Sequence, residues 1–251
     1  MLSKSQNKLL RSLQRKKARQ EHSLFLVEGG KAVSELLGSG WPLHSLYVSD
    51  SFAAAHRVAL TGCKVPVTPC SVEALTAAGS LVSNRDAIAV ARIPAAGVPQ
   101  MQPGQWVLAL DRINDPGNLG TLLRIADWYG IRQLVCTEDT VDLYNPKVIS
   151  ASMGSFLRVS LVHTDLHAWL AGLPEQTPVL GAYLTGTSVH QLSGDLQAGV
   201  LLMGSEAHGI DAGLESLVTQ KITIPSFGAA ESLNVAVATA IICDNLRRIT
   251  G

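Results

Sequence analysis

Val200-Leu201-Leu202-Met203-Gly204-Ser205-Glu206-Ala207-His208-Gly209 is the stretch on which the fold turns. Four consecutive apolar residues leave no polar side for water. A strand of that kind is buried on both faces, as in a parallel sheet covered by helices. The glycine-bounded polar turn that follows then lies outside the carboxyl end of a strand, where such sheets bind ligands. Upstream, apolar strands alternate with helical patterns. Trp106–Leu110, Gln133–Cys136, Leu157–Val162 and Val179–Tyr183 read as strands; Leu119–Tyr129, Asn145–Met153 and Leu166–Leu173 read as helices. Downstream come a short helix at Leu214–Val218, a strand at Lys221–Ile224 and a long helix from Leu233 to Arg248, ending at Gly251. Strand–helix alternation of this length predicts an α/β domain.

A second, smaller α/β domain precedes it. Ser5 can cap a first helix that carries Leu9, Leu10 and Leu13 on one face. Leu24–Val27, Leu46–Val48, Lys64–Val67 and Ala87–Ala91 read as strands, with helices at Lys31–Leu37 and near Ala53–Leu60. Prolines and glycines without apolar periodicity fill Ile93–Gly104. The domains are therefore placed at 1–94 and 105–251, with 95–104 as linker.

The chain has 251 residues, 47% hydrophobic and 16% charged, which suits buried cores and not disorder. Its zero net charge hides an uneven distribution. Residues 1–22 carry seven basic residues against Glu21 alone, whereas 105–251 carry eight basic and fourteen acidic residues. Lys8, Arg11, Arg15, Lys16, Lys17 and Arg19 in the opening segment are candidates for phosphate contact, because neutralised phosphates release counterions. Cys63, Cys70, Cys136 and Cys243 form no C-x-x-C pair, so zinc and thioredoxin-type sites lack support and a reducing cytoplasm is expected. No secretory h-region follows Met1, and no run approaches the ~18 apolar residues a membrane span needs. His163 and His167 have helical spacing but no third ligand, so no metal is expected.

Three segments follow strand ends. In the first, Asp115-Pro116-Gly117 makes a turn, Asn118 can cap the next helix, and Arg124 can hold a phosphate bidentately. In the second, Gly204 and Gly209 have Walker-A spacing, but Ile210-Asp211 stands where Lys-Ser/Thr is needed. G-x-G-x-x-G and G-x-S-x-G are absent. In the third, Ser232 is a candidate cap for the last helix and Asn234 a polar residue in its first turn.

Taken in order, DPGNLGTLLRIA (115–126), LLMGSEAHGI (201–210) and IPSFGAAESLNVAVATAI (224–241) resemble the SpoU-type (TrmH-like) RNA ribose methyltransferases of the SPOUT superfamily. Asn145-Pro146-Lys147 through Ser155 looks like the stretch between its motifs, and the basic opening with Phe25–Gly29 is similar to a substrate-binding domain many members carry. The resemblance implies a parallel α/β sheet with a carboxyl-terminal trefoil knot, S-adenosylmethionine as cofactor, a homodimer, and RNA as substrate. It implies cofactor contacts at Met203, Gly204, Ile224, Pro225 and Leu233. Arg124 matches the arginine proposed to bind the target phosphate and help deprotonate the ribose hydroxyl; Asn118, Glu206, Ser232 and Asn234 match the other polar site residues. Ala207 departs from the glycine usual after the glutamate. Ribosomal RNA is the expected target, with transfer RNA as the other candidate.

Two competing readings remain. A non-catalytic RNA-binding or ribosome-assembly protein could retain the fold, although Arg124, Glu206 and Asn234 are all in place. A nucleotide-dependent metabolic enzyme would need the phosphate-binding fingerprints this chain lacks.

Overall fold

The computed structural model describes residues 2–194 and 196–250. Gly251, read above as the end of the last helix, lies outside the described residues. Two compact units result: residues 1–95 with 142–157, and residues 96–141 with 158–251.

The first unit opens with α1 (Lys4–Ser12) and α2 (Lys16–His22), where the sequence predicts a single helix. Ser3, not Ser5, caps α1: Ser3 Oγ accepts from the Gln6 amide at 3.2 Å, and Gln6 Oε1 accepts from the Ser3 amide at 2.8 Å. This reciprocal capping box satisfies two otherwise unpaired donors. Then follow β1 (Leu24–Glu28), α3 (Gly30–Gly38), β2 (Leu43–Val48), α4 (Asp50–Ala55), α5 (Arg57–Thr61), β3 (Val67–Pro69), α6 (Val72–Ala78) and β4 (Ala87–Arg92). The sheet order is β1-β4-β2-β3, with β4 antiparallel to both neighbours and β3 parallel to β2. Leu10 and Leu13 pack with Leu26, Tyr47, Leu75 and Ile88 into its core.

The second unit starts with β5 (Trp106–Leu110), α7 (Pro116–Trp128) and β6 (Gln133–Cys136). The chain then contributes α8 (Pro146–Ser152) to the first unit. Aromatic rings account for that excursion: Phe25 of β1 lies 4.7 Å from the Tyr144 ring and 6.0 Å from the Phe156 ring, centroid to centroid. Rings at such separations contribute beyond their buried area. The second unit resumes with β7 (Ser160–His163), α9 (Leu166–Ala171), β8 (Val179–Ser188), β9 (Gly199–Met203), α10 (Ala212–Glu215), β10 (Gln220–Thr223) and α11 (Val235–Thr250).

The second sheet has the order β10-β8-β9-β5-β6-β7, and every pairing is parallel. The expected parallel α/β sheet is therefore present. Each residue of β5 and β9 is buried, as their unbroken apolar sequences require. Strand order reverses direction at β5, which pairs with β6 on one side and β9 on the other. The crevice outside the carboxyl ends at such a switch point is where open α/β sheets bind ligands. β8 runs five residues beyond the expected Tyr183. Its register against β10 jumps there: Lys221 pairs with Gly181, but Ile222 pairs with Thr187. The intervening segment 182–186 bulges out of the ladder. Gly186 (φ 151°) ends the bulge against the Lys221 carbonyl, where a Cβ would collide.

Candidate active site

Asp111 follows β5 and is 1% exposed. It binds both ends of the 204–210 loop. Its amide donates to the Met203 carbonyl at 2.9 Å, and its Oδ2 accepts from the Asp211 amide at 2.7 Å. Arg112 completes the clamp, with Nη2 3.1 Å from Asp111 Oδ2 and Nη1 3.2 Å from Asp211 Oδ2. Its backbone sits in the left-handed region, φ 56°. Arginine seldom adopts that conformation, and here the two carboxylates hold it.

The loop itself is closed by reciprocal bonds between Ser205 and Gly209 (3.1 and 2.9 Å). A Cβ on Gly204 would run into the Gly209 backbone, so only glycine fits that approach. His208 donates its amide to Ser205 Oγ at 3.2 Å. Ala207 and His208 are exposed and leave the closure intact.

Two capping expectations need correction. Asp115, not Asn118, caps α7: Asp115 Oδ1 accepts from the Asn118 amide at 2.8 Å, and Pro116 occupies the first helical position. Asn118 therefore sits in the first turn with its side chain free to bond elsewhere. At α11 the cap is Asn234, not Ser232. Asn234 Oδ1 accepts from the amides of Ala236 (3.0 Å) and Val237 (3.3 Å). Its Nδ2 donates to Asn118 Oδ1 at 3.0 Å and to Glu206 Oε1 at 2.7 Å. One side chain thus ties together the three segments that follow β5, β9 and β10.

Beside this junction lies a cavity of about 1010 Å³. Met203, Gly204, Ile224, Pro225 and Leu233 all line it, as do Glu206 and Ser232. Arg124 stands apart. It is exposed on α7 and has no hydrogen-bond or ion-pair partner among the described residues. Sequence reasoning missed the β8 bulge, whose Tyr183, Leu184 and Thr185 form part of the wall, and Phe227, 93% exposed at the rim. A lone aromatic in a serine-glycine loop, in a chain with four phenylalanines, was the available signal for Phe227. Burial pushes the Tyr183 hydroxyl up from its ordinary pKa, with Glu215 adding to the effect. Lys221 Nζ stands 4.9 Å from the centre of the Tyr183 ring.

Residues 105–244 match the SpoU rRNA Methylase family. The chain belongs to that family. As a SpoU methylase it also carries, at residues 4–86, a match to the MRM3-like substrate binding domain. It is 31% identical over 238 residues, 94% of each chain, to the 23S rRNA (guanosine(2553)-2′-O)-methyltransferase RlmP of Bacillus subtilis. Among solved structures, a TrmH-family protein from Porphyromonas gingivalis superposes with a TM-score of 0.85 at 34% identity, covering 99% of both chains. An AdoMet-bound rRNA methyltransferase from Sinorhizobium meliloti superposes with a TM-score of 0.87 at 26% identity, covering 99% of this chain and 97% of that one.

Of the basic residues named from the sequence, Lys8, Arg11, Arg15, Lys16 and Lys17 are exposed. Arg19 is not. It is 2% exposed, its Nε and Nη2 donate to Asp142 Oδ2 at 3.1 and 2.6 Å, and its Nη1 donates to the carbonyls of Leu13 and Gln14. A guanidinium engaged with internal acceptors cannot hold a phosphate, so Arg19 leaves the RNA-binding set. Among the described residues no group of three or more His, Cys, Asp or Glu could hold a metal, and no helix is long and apolar enough to cross a membrane.

Proposed function

We propose that this SpoU methylase transfers the methyl group of S-adenosylmethionine to a ribose 2′-hydroxyl of ribosomal RNA, in the cytoplasm. The carrying observation is the junction of Asn118, Glu206 and Asn234, through which Asn234 holds the cavity-lining Glu206.

The cavity fits the cofactor. Its volume lies at the upper end of the ~300–1,000 Å³ of small-molecule pockets. Backbone closes one side where Gly204 meets Gly209, and Met203, Ile224, Pro225 and Leu233 supply an apolar lining. Bound there, the cofactor supplies an electrophilic methyl on a sulfonium that leaves as a neutral thioether.

The chain's own groups handle the hydroxyl. A neutral ribose hydroxyl is a poor nucleophile, so it must be aligned and relieved of its proton. Asn234 fixes Glu206 through Oε1; Oε2 has no partner among the described residues and is the acceptor at the rim for the incoming hydroxyl. Asn118 holds Asn234 from the opposite side, and Ser232 adds a hydroxyl to the wall. Arg124 binds the phosphate of the target nucleotide. Lys8, Arg11, Arg15, Lys16 and Lys17 hold flanking RNA. Residues 1–94 are the RNA-binding domain, 95–104 the linker and 105–251 the catalytic domain, except that 142–157 pack into the first unit.

The same family reading implies a knotted carboxyl-terminal part and a homodimer. α7 and α11 lie together, joined by Tyr129 Oη to Asp244 Oδ1 at 3.3 Å and Arg247 Nε to the Tyr129 carbonyl at 2.8 Å. They leave Trp128 85% and Val237 49% exposed, apolar surface of the kind a second copy covers.

The test is methyl transfer from radiolabelled S-adenosylmethionine to a 23S rRNA transcript, with the modified nucleotide mapped and its 2′-O-methyl identified. A base methyl would overturn the ribose assignment. No incorporation, with the cofactor bound, would favour the non-catalytic reading.

A further inference from the structure

The loop from Gly79 to Asp86 in the first unit is fixed at both ends, yet presents its middle to solvent. At the start, Glu28 accepts from the Ser80 amide (2.9 Å to Oε1) and from Ser80 Oγ (2.6 Å). At the end, Asn84, 2% exposed, takes its amide to Thr76 Oγ1 at 3.0 Å and its side-chain Nδ2 to the Ala87 carbonyl at 2.9 Å. Asp86 Oδ2 then accepts from the Gly30 amide at 3.3 Å, which joins the loop to the first turn of α3.

Two consequences follow. Glu28 and Asp86 are bonded to backbone amides, while the side chains of Lys31 and Arg85 are exposed. Each is one residue removed from the joined pair Gly30 and Asp86. Between the anchors Val82 is 100% exposed. A β-branched residue on a mobile tip would mean little, but this tip is held. The basic stripe of α1 runs into the same place: Arg11 Nη2 donates to the Ala77 carbonyl at 3.2 Å and Gln14 Nε2 to the Gly79 carbonyl at 3.0 Å.

We propose that the 80–85 loop with Lys31 is an RNA-recognition element. Val82 docks against an unpaired base, while Lys31 and Arg85 hold the phosphates on either side, extending the stripe of Arg11 and Arg15. Sequence-specific proteins take RNA where bases are splayed out of the helix, and an apolar tip between two cations suits such a site. The proposal rests on the RNA-methyltransferase reading above.

The experiment uses the full chain with two probes, a 23S rRNA transcript and a fully paired RNA duplex, titrated between 50 and 200 mM salt. Lys31→Ala with Arg85→Ala should weaken transcript binding about tenfold at 150 mM. It should also make the slope of log affinity against log salt shallower by about 1.5, the release expected for two phosphates. Val82→Ser should weaken the transcript several-fold and leave the duplex within twofold. Transcript binding within twofold of the original at every salt, in variants with unchanged melting temperature, would overturn the proposal. Equal loss on both probes in Val82→Ser would remove base docking. Failure of the unaltered chain to bind the transcript would instead bring down the RNA reading itself, and this element with it.

Discussion

Asn234 donates to Glu206 Oε1 over 2.7 Å while its own Oδ1 caps α11. With Asn118 on its second amide hydrogen, every polar atom of the side chain is engaged. The amide orientation is therefore fixed by its partners: turned over, it would set its oxygen against a carboxylate and its NH₂ against two amide donors.

Capping and bridging can be separated by mutation. Asn234→Asp keeps a good cap but loses both bridging hydrogens and faces Glu206 with a like charge. The expected result is an unchanged melting temperature and methyl transfer lowered at least 100-fold. Asn234→Ala loses the cap as well and should cost about 1 kcal/mol in stability. Near-normal transfer by Asn234→Asp would show that the bridge is incidental.

Arg112 carries a second dissociable role. Its left-handed backbone disfavours a side chain by about 1–2 kcal/mol, offset here by Asp111 and Asp211. Arg112→Ala keeps the backbone penalty and loses the ion pairs; Arg112→Gly loses both. Glycine should therefore be the more stable of the two by about 1 kcal/mol in urea unfolding, whereas both should raise the KM for the cofactor because the 204–210 loop is released. Alanine equal to glycine would mean that the conformation relaxes without the ion pairs.

For Arg124 the expectation is a clean division. Being outside the cavity lining and exposed, its loss should leave cofactor affinity within about threefold, under ~1 kcal/mol. Arg124→Ala should nevertheless abolish transfer. Calorimetric titration with S-adenosylhomocysteine beside the transfer assay reads both, and lost cofactor binding would contradict the assignment.

The strands were legible because burial on both faces writes itself as an unbroken apolar run, as in Val200–Met203. Gly204, Ile224 and Leu233, which line the cavity, were named only through the family resemblance that the three segments carry. The capping errors have one cause. Ser232 and Asn118 are good caps by type, but so are Asn234 and Asp115, and propensity cannot choose between neighbours a few residues apart. The β8 bulge was hidden because ladder register against β10 is a non-local property. Arg19 misled for a similar reason: its acceptor, Asp142, stands 123 residues away, and a charge run looks alike whether its members face water or carbonyl oxygens.

Burial pushes the Cys136 and Cys243 thiols up to about 12. Both stay protonated through pH 9, and the thiolate is the reactive form. Burial raises Cys70 and Cys63 as well, but Cys63 is partly accessible where Cys70 is buried. A maleimide at pH 7.5 should label Cys63 in the folded chain and all four after unfolding. Because their folded values are raised, these thiols favour the folded state below pH 9, and that contribution is lost as pH climbs toward 12. The melting temperature should fall across that range. Prompt labelling of Cys243 in the folded chain would mean that α11 opens readily.

Trp128 and Val237 give the proposed homodimer its test. Both lie on the paired helices α7 and α11, and an indole 85% exposed at a helix end is a large apolar surface to leave in water. Trp128→Glu places a charge there that a second copy would have to desolvate. Light scattering should give twice the chain mass for the unaltered protein and a monomer for the variant, with the cofactor cavity still formed within each chain. Should the unaltered protein scatter as a monomer at micromolar concentration, the exposed indole would need another partner and the homodimer reading would fall.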